Sequence, residues 1–104
     1  MTREWEAANV FELLGDEEVR EILVVTSESP RSAEELAERC SASQPTIYRR
    51  IDSLQEYDLL DENVEYDADG NHYRTYESRL DEVCFAVDDG AFVVDIRLRR
   101  DPLD

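Results

Sequence analysis

The stretch from Ser32 to Leu54 constrains the fold most, because it marks both ends of one short helix and the start of the next. Ser32-Ala33-Glu34-Glu35 has the form of a capping box. In that motif the serine hydroxyl accepts from the Glu35 backbone while the Glu35 carboxylate reaches back to the serine N–H. Behind it Ala33, Leu36, Ala37 and Cys40 recur at i, i+3, i+4 and i+7, one buried face of a short helix. Ser41-Ala42-Ser43 is a tight polar connection. The next helix carries Pro45 in its first turn, where backbone N–H groups lack intrahelical partners, and buries Ile47, Ile51 and Leu54. A helix, a three-residue turn and a second helix leave few ways to fold the rest of the chain.

Two helices are expected upstream. Residues 5–14 place Ala7, Val10, Phe11 and Leu14 on one face, with Gly15 ending the helix as a residue free to adopt positive φ. From Asp16 to about Ser27 a second helix is acidic in its first turn and apolar at Val19, Ile22 and Leu23, and Glu28-Ser29-Pro30 breaks it. From Leu59 the hydrophobic period changes to two. Leu60–Tyr66 and His72–Ser78 read as strands joined by a turn over Asp67–Asn71 that contains Asp69-Gly70. A second hairpin alternates Val83, Phe85 and Val87 on one arm, turns at Asp89-Gly90, and alternates Phe92, Val94, Ile96 and Leu98 on the other. That last stripe is too apolar for an exposed edge, so either the helices or a second subunit must cover it. Trp5 and Phe11 are read as core or dimer contacts, and Tyr73 and Tyr76 as sheet packing.

Charge becomes informative once it is divided along these elements. The 104 residues carry 27 acids against 11 basic residues, all of them arginine, for a net −16. Surfaces so loaded with carboxylates and without lysine suggest a halophile, in which the acidic surface holds water and salt cations. Taken whole, −16 argues against a polyanionic partner. Residues 31–57, however, carry four Arg and five acids, almost neutral within an acidic chain. Arg39 to Ile51 runs thirteen residues without a carboxylate and contains three Arg. The next longest such run, Gly70–Tyr76, lies on the first hairpin and contains His72 and Arg74. Both gaps fall where a helix-turn-helix and its neighbouring hairpin would meet DNA, and the helix N-terminus adds free N–H groups for phosphate.

The segment Ser43-Gln44-Pro45-Thr46-Ile47-Tyr48-Arg49-Arg50-Ile51 and its continuation to Leu60 resembles the recognition helix of ArsR-like winged helix-turn-helix transcription regulators, as found in archaea and bacteria. The likeness extends over residues 16–79. It implies an α+β fold: a winged helix-turn-helix of four N-terminal helices and a β-hairpin wing in residues 1–79. Residues 80–104 then form an additional C-terminal β-hairpin for packing or dimerisation. It further implies that Ser43, Gln44, Thr46, Tyr48 and Arg49 of the recognition helix 43–57 face the major groove. Arg50 would face phosphate, and Asn71, His72 and Arg74 of the wing 64–78 would face the backbone or minor groove. Helical geometry, with Ile47, Ile51 and Leu54 buried, turns Pro45 and Arg49 outward and leaves Arg50 at the edge of the core. Where the family often has Glu-Ala-Gly-Leu, this chain has Glu56-Tyr57-Asp58-Leu59, which puts Asp58 in the left-handed position.

The expected function is therefore a sequence-specific double-stranded-DNA-binding regulator, acting as a homodimer. A winged-helix protein-interaction module without direct DNA readout is the alternative. No enzymatic activity, metal site or cofactor is expected. One histidine and two cysteines 44 positions apart do not make a zinc site, and no nucleophile or phosphate-loop motif is present. Cys40 and Cys84 are read as buried apolar thiols. No run is long and apolar enough to span a membrane, and the acidic start is unlike a signal peptide, so a cytoplasmic protein is expected.

Overall fold

The computed structural model describes residues 5–99. Four helices come first: α1 (Ala7–Leu14), α2 (Glu17–Glu28), α3 (Ala33–Arg39) and α4 (Gln44–Glu56). Four strands follow: β1 (Leu60–Tyr66), β2 (His72–Ser78), β3 (Leu80–Asp88) and β4 (Ala91–Leu98). They form two separate antiparallel hairpins, β1–β2 and β3–β4. This α+β order is a winged helix-turn-helix followed by a further hairpin, as the sequence led one to expect.

The local signals act as their chemistry requires. Asp16 caps α2 by accepting from the Val19 N–H at 3.1 Å. The Ser32 hydroxyl accepts from the Glu35 N–H at 3.2 Å, and Glu35 Oε1 accepts from the Ser32 N–H at 3.4 Å, completing the capping box. The Ser32 N–H first, then the Arg31 guanidinium and the Ser32 hydroxyl, donate to the Glu35 carboxylate and hold it below its ordinary value of 4.5. A depressed folded-state pKa means that the stabilisation is present above the unfolded value and is lost as pH falls through the folded value. Ser32→Ala is therefore expected to destabilise the fold by about 1 kcal/mol near neutral pH. Glu35→Gln, which removes the titrating carboxyl, should flatten the acid limb of stability below about pH 4.5, checked by urea unfolding across a pH series.

Two positions depart from the sequence reading. Gly15 ends α1 with φ −73, not a positive value. Its value lies in close approach: an added Cβ would sit 3.2 Å from the Phe11 carbonyl oxygen. Cys84 is exposed whereas Cys40 is buried, because the two-residue period that turns Val83 and Phe85 inward turns Cys84 outward. Burial pushes the Cys40 thiol up, as expected of an apolar thiol. Asp58 does take the left-handed conformation, φ 60.

One core unites α2, α3, α4 and the wing. Ile22, Leu36, Ile47, Ile51, Leu54 and Leu59 are fully buried at its centre, with Tyr76 of β2 packed against them. Leu80, Ile96 and Leu98 also pack on this core, so the base of the second hairpin is anchored while its tip projects. Arg31, just before α3, exchanges two backbone bonds with Tyr76, at 3.0 and 2.8 Å. This pairing makes β2 a central strand and fixes the wing to the entrance of α3. Tyr73, in contrast to Tyr76, lies 44% exposed.

Candidate nucleic-acid interface

The site is built on the N-terminal half of α4. Ser43 caps that helix, accepting from the Thr46 N–H at 3.3 Å and donating to Thr46 Oγ1 at 2.9 Å. Arg49 Nη2 donates to the same Thr46 oxygen at 3.2 Å. Ser43, Thr46 and Arg49 are thus one hydrogen-bonded chain along the outward face. Gln44, Pro45, Tyr48 and Arg49 are all exposed around it.

Two electrostatic features distinguish this face from the rest of the molecule. α2 and α3 each carry two glutamates in their first turn, the arrangement that favours a helix N-terminus, and α1, without acids in its first turn, has Glu6 at its N-cap, whereas α4 has no acid at either place. A helix that omits those acids forgoes about 0.3–1 kcal/mol each, and what it gains is an N-terminus unobstructed for an incoming anion. The second feature is the state of the arginines. Arg31, Arg50, Arg74, Arg79 and Arg97 all pair with carboxylates. Of the other four described arginines, Arg20 and Arg99 donate to the Leu14 and Ser78 carbonyls at 3.0 and 3.2 Å, which leaves Arg49 and the exposed Arg39, at the end of α3, with neither an ion pair nor a carbonyl partner among the described residues. Both lie in the acid-free run, one on each side of the turn Ser41-Ala42-Ser43. Arg39 was not among the residues read as DNA contacts, although its place in that run was a signal available in the sequence.

Arg50, expected to face phosphate, pairs with carboxylates of its own chain. Its Nε lies 3.2 Å from Asp16 Oδ2 and its Nη2 lies 3.4 Å from Glu18 Oε1, with its side chain 31% exposed. At the edge of the core it meets the acidic first turn of α2, and it ties α4 to that turn.

The wing presents a second, smaller group. Asp67 Oδ1 accepts from the N–H groups of Asn71 at 2.8 Å and Asp69 at 2.9 Å, closing the turn. These bonds, the Asn71 one foremost, hold the Asp67 carboxyl below its ordinary range. Gly70 supplies the φ of 81 that the turn needs. His72 packs edge to face on Tyr66 with ring centroids 4.5 Å apart. Arg74 is largely exposed and lies 3.8 Å from Glu62. Asn71, His72 and Arg74 therefore share the exposed outer half of the hairpin, whereas Tyr76 and Ser78 secure its inner half in the core.

A shallow cleft of about 320 Å³ lies between α1, the start of α2 and α4, bounded by Glu12, Asp16, Arg50 and Glu56. Its rim is acidic and its arginine already paired, so it offers no anion site. Among the described residues no group of His, Cys, Asp and Glu is arranged to hold a metal ion. No helix of the described residues is long and apolar enough to cross a membrane. No curated protein matches the sequence. Residues 14–63, from the end of α1 to the middle of β1 and including the whole of the α3–turn–α4 unit, match the helix-turn-helix domain family.

Proposed function

We propose that the chain is a sequence-specific double-stranded-DNA-binding transcription regulator of the ArsR-like type from a halophilic archaeon, acting as a homodimer. The observation that carries this reading is the pair of uncompensated arginines, Arg39 and Arg49, flanking a helix start from which acids are withheld. In this reading α4 enters the major groove, where Ser43, Gln44, Thr46, Tyr48 and Arg49 meet base edges and phosphates. Arg39 holds phosphate beside the turn, and Asn71, His72 and Arg74 lie along the flanking backbone. Arg50 positions α4 through Asp16 and Glu18. A two-fold dimer would read half-sites about 34–36 Å apart, one helical turn of DNA.

High salt alters the energetics of such a complex. Counterion release, which normally gives a slope of about −0.9 per neutralised phosphate, contributes little when the bulk is already salt-rich. Affinity then rests on hydrogen bonds, apolar contacts and cations held between surface carboxylates and phosphate. We expect the log–log dependence of affinity on KCl, measured at constant folded fraction, to be much shallower than the number of phosphate contacts implies, or inverted. A steep loss of binding towards molar KCl would contradict this. Chromatin immunoprecipitation with sequencing tests the function itself. A palindromic motif beneath the peaks supports the proposal, whereas diffuse signal without a motif favours a winged-helix module that binds other proteins.

A further inference from the structure

The β3–β4 hairpin has a property that DNA recognition does not use. It is a two-stranded ribbon, and neither outer edge has a backbone partner among the described residues. An unpaired edge is a template for another strand, and natural edges are blunted with charge, proline or a bulge. Here the blunting is one-sided. β3 carries Asp81, Glu82 and Asp88, and the register slips between Leu80 and Glu82. β4 has no proline and no slip, runs Ala91-Phe92-Val93-Val94 without charge, and carries Asp95 and Arg97, which cancel. Phe92 and Val93 point to opposite faces and are 48% and 39% exposed, so the packing of α1 on β4, with the Phe11 and Phe92 ring centroids 6.1 Å apart, leaves both partly open to solvent.

We propose that a second copy of this chain pairs antiparallel along β4, joining two hairpins into one four-stranded sheet. Charge selects both the edge and the occupant. Two chains of −16 each repel except where acids are withheld or matched. β4 is neutral whereas β3 carries −3. Antiparallel pairing of one strand with its own copy is isologous, as two-fold symmetry demands. With Ile96 opposite its counterpart, Asp95 faces Arg97 of the second copy, whose guanidinium lies 3.0 Å from Glu82 of its own β3 and would bridge both carboxylates, and the reciprocal pair forms by symmetry. Moving the two-fold axis to residue 95 would set the two Asp95 carboxylates against each other, which like charges disfavour.

This inference specifies the homodimer of the functional reading, and its test contains no DNA, so its failure is distinct from a failure of DNA recognition. In molar KCl, sedimentation equilibrium from micromolar to millimolar chain should show the mass rising from 12.1 kDa to twice that value. Hydrogen exchange over the same range should show protection that grows with concentration in Val94–Leu98 and not in Leu80–Asp88. Asp95→Arg, and Arg97→Asp made together with Glu82→Arg so that the cross-strand pair is kept in reverse, alter exposed side chains and should each weaken dimerisation about tenfold, with helical content unchanged by circular dichroism. Combining the two should restore it. A monomer throughout the range, a dimer whose concentration-dependent protection lies elsewhere, or a combined variant no better than either alone would each overturn the proposal.

Discussion

Replacing Arg49 with alanine is expected to weaken operator binding by about 1–3 kcal/mol, roughly 5- to 150-fold, and to leave the fold intact. The expectation rests on what Arg49 does not do in the free protein. Its guanidinium donates to Thr46 Oγ1 and pairs with no carboxylate of the described residues, so removing it strands no buried charge. Arg50→Ala provides the contrast within the same helix. It releases Asp16 and Glu18, 3.2 and 3.4 Å away, and its cost should appear in unfolding rather than in base discrimination. Titration of the two variants against one duplex, with urea unfolding alongside, separates the roles. Equal losses of affinity at Arg49 and Arg50 would show that α4 is being disturbed as a whole.

Leu54→Ala is expected to produce the largest stability loss, about 2–5 kcal/mol, out of roughly 5–15 kcal/mol for a typical domain. Leu54 is fully buried, and its carbonyl accepts from the N–H of Leu59 at 2.9 Å and of Tyr57 at 3.2 Å. The side chain thus lies at the point where α4 ends and the chain turns through Asp58 into β1. A cavity there removes packing that α4 shares with the wing, and its cost falls on the folded state as a whole. Urea unfolding in molar KCl should show a lower midpoint with an unchanged slope, and DNA affinity should fall only as far as the folded fraction does.

Local chemistry was legible because it repeats within a few residues. The capping box at Ser32 and Glu35, the Ser43 cap, the left-handed Asp58 and the two hairpin turns follow from rules that reach no farther than one helical turn or one strand pair. The outward face of α4 was legible for the same reason: three apolar residues at helical spacing fix where Arg49 points. Arg50 illustrates the limit. Its position at the edge of the core was readable, but its partners lie 34 and 32 residues earlier, and only the packing of α2 against α4 brings them together. The Arg31–Tyr76 strand pairing is hidden likewise, since residue 31 stands alone before a helix and has no strand pattern of its own. Cys84 is different, because the alternation of Val83, Phe85 and Val87 turns it outward, and this local period overrides the general tendency of free cysteine to be buried. On the proposed function, the charge of −16 answers to a salty interior and its absence from Arg39 to Ile51 to an anionic partner.

Selection from a pool of randomised duplexes in molar KCl, with the native chain and Arg49→Ala run in parallel, tests the central claim most directly. The native chain should enrich one two-fold-related motif, and the variant should lose discrimination at a defined position of each half-site while retaining the rest. A natively folded chain that enriches no sequence, or an Arg49→Ala variant that selects the same motif with the same stringency, would contradict the assignment of α4 as the element that reads DNA.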